Sequence, residues 1–281
     1  MSGTTGGWSD FSMWTGVVLG SLGAISTESW PTIWIILEVN LISFLPLITI
    51  KWNVKKIRII YFIVQRVGSL TLLTGGVMSD RTVYFSKWIS LGLLLKASLA
   101  PMHFWGAPVI VTLNKLMRFI FLTWQKIAPV ILLITVTAKF LLCSVLLLNA
   151  LVATIGGVGR KNIFLLIFYS GLIHISWVLA APMVGSCTYF LMYLATSAPI
   201  FFNTTDLPIL IMNLAGFPPL TGFFMKLTVL QELRSILGVL LLTLSLLLLF
   251  SYIRLFLYPV VIKTGKIKLR TVIVCRFGGL Y

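Results

Sequence analysis

The chain has 281 residues, 59% of them hydrophobic and only 10% charged, with a mean hydropathy of +1.05. Soluble domains carry about 45–50% apolar and about 25% charged residues, so a water-soluble globular fold is excluded. Lys and Arg number 22 against 6 Asp and Glu, a net charge of +16; these basic residues stand between apolar segments, which points to the positive-inside rule and away from a nucleic-acid surface.

Residues 1–10 have no basic n-region and no cleavage site, so no secretory signal is expected and the chain is expected to insert through its own spans. Apolar stretches near the ~20 residues that cross a bilayer then follow one another. The first, 11–25, is short and rich in Gly and Ser. The second, 30–50, carries Glu38 near its middle, and 60–79 follows. The stretch 84–113 is interrupted at Ala100-Pro101, with Lys96 before the interruption and His103 after it. Lys126 stands near the centre of 117–137, behind Thr123-Trp124-Gln125. After 140–157 comes 163–181, with His174 at mid-span, and then 187–203. The stretch 207–234 is interrupted at Gly216-Phe217-Pro218-Pro219, with Lys226 beyond, and 236–258 is the last. Proline removes a backbone donor and clashes with the preceding turn. In lipid the freed carbonyls need partners, so such breaks survive only inside protein or beside a hydrated cavity. The expectation is an all-α, polytopic transmembrane bundle of about ten spans, two of them broken, over residues 1–258. The remaining 259–281 form a basic C-terminal tail whose apolar run Thr271–Cys275 is too short to span.

Charge placement gives an orientation. With the N-terminus on the matrix or cytoplasmic side, that side receives Lys51, Lys55, Lys56, Arg58, Lys115, Arg118, Arg160, Lys161, Lys263, Lys266, Lys268 and Arg270. The opposite side receives Arg81, Lys87, Lys139 and Arg234. The bias puts both termini inside.

Other chemistries find little support. Cys143, Cys187 and Cys275 are far apart and show no metal spacing. Gly156-Gly157-Val158-Gly159 lacks the Gly-Lys-Ser/Thr ending and the βα context of a phosphate loop. Without a cysteine cluster or a haem ligand pair, the chain is expected to hold no cofactor and to carry no electrons.

Four intramembrane charges remain: Glu38, Lys96, Lys126 and Lys226. Each costs about 2.5–3.5 kcal/mol at mid-bilayer on translocon scales, so a chain sparing of charge is expected to use them. Burial and nearby opposite charge act on such groups in opposing senses, letting them exchange protons near neutral pH through water or imidazole. His103 and His174 are added to the set, although a histidine beside a break serves equally well to cap a carbonyl. Arg66 is expected to snorkel toward the Lys51–Arg58 face, Glu232 and Arg234 to be interfacial, and Arg254 to point toward the basic tail.

The charged stretches resemble one family. Trp34-Ile-Ile-Leu-Glu-Val-Asn40, Leu95-Lys-Ala-Ser-Leu-Ala-Pro-Met-His-Phe-Trp105, Leu122-Thr-Trp-Gln-Lys-Ile-Ala-Pro129, Tyr169-Ser-Gly-Leu-Ile-His-Ile-Ser-Trp177 and Gly216-Phe-Pro-Pro-Leu-Thr-Gly-Phe-Phe-Met-Lys226 stand in its order. The family is that of subunit 2 of mitochondrial NADH:ubiquinone oxidoreductase, respiratory complex I, among the antiporter-like proteins related to Mrp-type cation/proton antiporters. The resemblance implies two inverted five-helix repeats with one broken helix each, and proton translocation coupled to electron transfer in other subunits. It implies that Glu38 pairs with Lys96, that Lys126 is central in a hydrophilic axis, and that Lys226 leads to the exit. It further implies the mitochondrial inner membrane, the other membrane-arm subunits as partners, and lipid, with cardiolipin suited to the basic matrix face. Gly106-Ala-Pro108-Val departs from the family's Pro-Glu after His-Phe-Trp, and the residues after Tyr258 are not expected to form the family's last helix. Two rival readings are a free-standing cation/proton antiporter and a structural or assembly subunit whose charges serve as glue.

Overall fold

The computed structural model describes residues 6–49, 55–77, 84–160, 162–202, 207–233 and 236–263. Among them every regular element is an α-helix: α1 (Gly6–Ser26), α2 (Trp30–Thr49), α3 (Lys55–Val77), α4 (Tyr84–Ala97), α5 (Gly106–Thr112), α6 (Lys115–Leu122), α7 (Trp124–Val136), α8 (Lys139–Gly157), α9 (Ile163–Ala180), α10 (Met183–Phe202), α11 (Leu207–Ala215), α12 (Thr221–Leu233) and α13 (Ile236–Lys263). The expected all-helical class and both interruptions are present. Among the described residues, six helical stretches, one of them α6 and α7 taken together, are long and apolar enough to cross a membrane, against the ten expected spans. The halves of the two interrupted spans are each too short to qualify alone. The expected span 117–137 has a step at Thr123, which separates α6 from α7; the Thr123 hydroxyl donates to the Phe119 carbonyl at 2.6 Å and distorts the ladder there. The final helix runs on to Lys263, past the expected boundary at 258. Lys51, Arg81, Lys161, Arg234 and the tail from residue 264, with Lys266, Lys268, Arg270, Cys275 and Arg276, lie outside the described residues.

Many large apolar side chains face outward, among them Leu19, Ile42, Phe140, Ile155 and Phe250. A hydrocarbon solvent makes this outer surface favourable, and it satisfies no backbone polar group, so helices are the required form.

The chain divides into two compact units, residues 1–149 and 150–281, with the division inside α8. In the first unit α1 packs on α2, α2 on α3, α3 on α4, and α7 on both α1 and α4. Its core holds an aromatic group: Tyr61 lies 5.8 Å from both Phe44 and Trp105, and Trp105 meets Phe121 edge-on at 5.7 Å. In the second unit α9 is buried at every residue from Leu166 to Leu179, against α10, α12 and α13. A helix apolar all round is the form a bundle centre takes.

Both units contain the same stop signal. At the end of α4, the Leu99 N–H donates to the Leu94 carbonyl at 3.0 Å and the Ser98 N–H to Leu95 at 3.2 Å. At the end of α11, the Phe217 N–H donates to Met212 at 3.2 Å and the Gly216 N–H to Asn213 at 3.0 Å. These paired bonds are Schellman closures. They need a left-handed residue, supplied by Ser98 at φ 50° and Gly216 at φ 79°. Glycine takes that conformation freely and serine at a modest cost. The prolines at 101 and 218 then prevent either helix from resuming at once.

Candidate functional site

In the first unit the charges gather around the closure of α4. Glu38, on α2, is 7% exposed, and its Oε2 lies 2.7 Å from Arg66 Nη1 on α3. Arg66 therefore does not snorkel to the Lys51–Arg58 face as expected. Its side chain stays partly exposed over the Phe62 ring while its guanidinium turns inward to the carboxylate. A buried carboxylate without a cation would be costly, and Arg66 is the cation that the packing of α2 on α3 brings to it. Lys96, the last-turn lysine of α4, is 6% exposed and feels the charges of both Glu38 and Arg66. The direct ion pair is thus Glu38–Arg66, with Lys96 in its field, rather than the Glu38–Lys96 pair implied by resemblance.

The Lys96 carbonyl, freed by the end of α4, accepts from Gln65 Nε2 at 3.1 Å. Asn149 Oδ1 accepts from the Ala100 N–H at 3.0 Å on the far side of the same closure. A small cavity of ≈ 20 Å³ opens beside Lys96, lined in part by Asn40, Tyr61, Gln65 and Gln125. That volume and polarity suit one water molecule. Two of the cavity's lining residues bond each other directly, Gln125 Nε2 donating to Asn40 Oδ1 at 3.1 Å. Lys126, the next residue, is 2% exposed in the first turn of α7. His103 is half-buried in the connection from α4 to α5.

In the second unit the closure of α11 gathers its own donors. Lys226, on α12, is 9% exposed and its Nζ donates to the Ala215 carbonyl at 2.7 Å. A Cβ on Gly216 would lie 2.8 Å from that Nζ, so the glycine serves both the turn and the approach of the lysine. His174 Nε2 lies 3.1 Å from the Leu214 carbonyl, and its Nδ1 lies 3.0 Å from Tyr189 Oη. The imidazole thus caps a broken-helix carbonyl, as histidine chemistry allowed, and stacks on Tyr193 at 4.8 Å. Asn213 Oδ1 accepts from the Gly222 N–H and from the Thr221 hydroxyl, both at 2.9 Å, which starts α12. Glu232 is exposed near the end of α12. Arg254 is held by the Arg160 carbonyl at 3.2 Å.

The structure brings Glu38 and Lys96 to one break, and His174 and Lys226 to the other. Sequence reasoning missed Asn40, Gln65, Gln125 and Tyr189 as site residues, and expected Arg66 to snorkel where it pairs with Glu38. Gln125 stands beside Lys126, Gln65 beside Arg66 and Asn40 two residues from Glu38, which was a usable signal; Tyr189 carried none. The Gln65 bond gives a direct test. Gln65→Leu is expected to leave the Lys96 carbonyl without a donor, at a cost of about 1–3 kcal/mol; a lower melting temperature of the purified protein checks it, and an unchanged one would show that the closure needs no cap.

NADH-ubiquinone oxidoreductase chain 2 of Anopheles gambiae is 33% identical to this chain across an alignment that covers 85% of this chain and 82% of that protein. The chain belongs to the NADH-ubiquinone oxidoreductase chain 2 family. The family member of Myxine glutinosa is 29% identical across an alignment that again covers 85% of this chain and 82% of its own length. No family profile matches. Among solved structures, a chain of respiratory complex I from Thermus thermophilus with bound aureothin superposes with a TM-score of 0.81 at 20% identity, over 91% of this chain and 71% of that one. A chain of an Mrp complex from a Dietzia species superposes with a TM-score of 0.75 at 17% identity, over 86% of this chain and 58% of that one. The fold of this family member is therefore that of antiporter-like membrane subunits, as its two broken helices suggested.

Proposed function

We propose that this chain is a membrane-arm subunit of respiratory complex I in the mitochondrial inner membrane, with both termini on the matrix side, and that it moves protons while redox chemistry proceeds in partner subunits. The observation that carries this reading is the gathering of buried ionisable groups at two broken-helix ends in a chain of this family. Neither break is merely tolerated: one has Lys96, Glu38 and Arg66 around it, and the other binds Lys226 and His174 through its terminal carbonyls. Broken helices place polar backbone at membrane depth, where it can hold ions and water.

In this reading Glu38 and Lys96 share the Arg66 field, so a proton gained by one alters the other's charge balance. The polar cavity beside Lys96 offers water a place in the route toward Gln125 and Lys126. Lys126 is the central relay, and Lys226 stands at the outlet. His103 has a subsidiary part at the first break. No redox group is assigned to this chain, and lipid, with cardiolipin at the basic face, surrounds it.

Replacing Lys126 with Met keeps the stem's bulk and removes the ammonium. The assembled complex carrying Lys126→Met is expected to pump several-fold fewer protons per electron. Wild-type stoichiometry in a fully assembled complex would sink the transport role and leave the structural reading; transport by the isolated chain in liposomes would favour a free-standing antiporter.

A further inference from the structure

His174 is buried at 2% exposure, and both of its ring nitrogens are engaged. The two engagements are chemically unlike. Nε2 faces the Leu214 carbonyl, which only accepts, so Nε2 carries the hydrogen in both the neutral and the charged ring. Nδ1 faces the Tyr189 hydroxyl, which donates or accepts. In the neutral ring Nδ1 accepts from Tyr189; in the imidazolium it donates to the same oxygen.

We propose that His174 is a proton store with a single door, Tyr189, rather than a relay that passes protons through its ring. The idea rests on the transport reading above and refines it at this residue. A carbonyl oxygen at the closure of α11 cannot take the Nε2 proton onward, so the ring has no exit on that side. Loading proceeds through the phenol: protonated water gives a proton to Tyr189 Oη as the Oη–H bond breaks and an Nδ1–H bond forms. The tyrosine ends neutral, the water is left neutral, and the imidazole becomes imidazolium. Unloading is the reverse. Tyr189 is itself 3% exposed on α10, so it sets both the orientation of the ring and its access.

The loaded state has a consequence for the outlet. The carbonyls of Leu214 and Ala215 belong to consecutive residues, and they accept from His174 and Lys226 respectively. A charged His174 therefore places a second cation beside Lys226 across one residue of backbone and favours release of the lysine's proton. The stacked Tyr193 ring, 4.8 Å from the imidazole, keeps the plane fixed while this happens.

Tyr189→Phe keeps the ring and removes the door. In the assembled complex, pumped protons per electron are expected to fall to the level of His174→Gln, and the double variant to fall no further. Wild-type stoichiometry in Tyr189→Phe, with Lys126→Met impaired, would overturn the single-door proposal alone; wild-type stoichiometry in both would overturn the transport reading with it. A readout that does not need Tyr189→Phe to assemble is the ¹⁵N spectrum of histidine-labelled wild-type complex, with the His174 signal assigned by its loss in His174→Gln. A neutral ring bearing hydrogen on Nε2 is expected. A neutral ring bearing its hydrogen on Nδ1 would overturn the proposal, including in the case where Tyr189→Phe fails to assemble.

Discussion

Gly222→Ala is expected to prevent assembly of the complex or to lower its melting temperature sharply. A Cβ at this position would overlap the Asn213 carbonyl oxygen and lie 3.3 Å from the Gly216 Cα. The clash is with backbone on both sides, so no rotamer relieves it. Overpacking a built core costs about 1–3 kcal/mol and occasionally more, and here the strained atoms are the ones that close α11 and start α12. Moving Asn213 away would also loosen its Oδ1 from the Gly222 N–H and the Thr221 hydroxyl. The Lys226 and His174 contacts to the next two carbonyls depend on the same segment. Native electrophoresis and thermal unfolding of the assembled complex read the effect. Normal assembly with an unchanged melting temperature would mean that α11 and α12 do not approach as described.

The second large effect is expected of Glu38→Gln. The substitution keeps shape and removes the charge that faces Arg66 at 2.7 Å. With Lys96 charged, the region then holds two cations and no anion. Breaking a buried pair by removing one member costs about 3–5 kcal/mol, less here because the Arg66 side chain is 40% exposed and partly screened by its surroundings. Proton pumping is expected to fall to near background and assembly to weaken. Adding Arg66→Gln restores charge balance, so the double variant is expected to regain assembly without regaining pumping. That separation distinguishes the structural from the transporting role of Glu38. Full pumping in the double variant would remove Glu38 from the proton route.

How much of this was legible beforehand differs by residue. Lys96 and Lys226 were visible because each stands in an apolar run close to a proline break, and an ammonium is expensive there. The closures followed from Pro101 and from Gly216 with Pro218. The step at Thr123 was not visible, because nothing in the hydropathy of 117–137 marks a hydroxyl that bonds its own helix. Arg66 was misread because snorkelling is the default for a long cation in a membrane helix; what overrides it is a carboxylate on a neighbouring helix.

The sequence by itself determined that this protein is a helical membrane protein, where its helices break, and which ionisable groups are carried into the apolar region. Those properties follow from local composition and from what proline and glycine permit along the chain. Only the tertiary structure decided the partners: Arg66 for Glu38, Gln65 for the Lys96 carbonyl, Lys226 for the Ala215 carbonyl, and Leu214 with Tyr189 for His174. The His174–Leu214 bond joins residues 40 apart. Contacts of that kind depend on the rotation of each helix about its axis and on how closely neighbours approach. A run of apolar residues on every face leaves both undetermined until the helices pack.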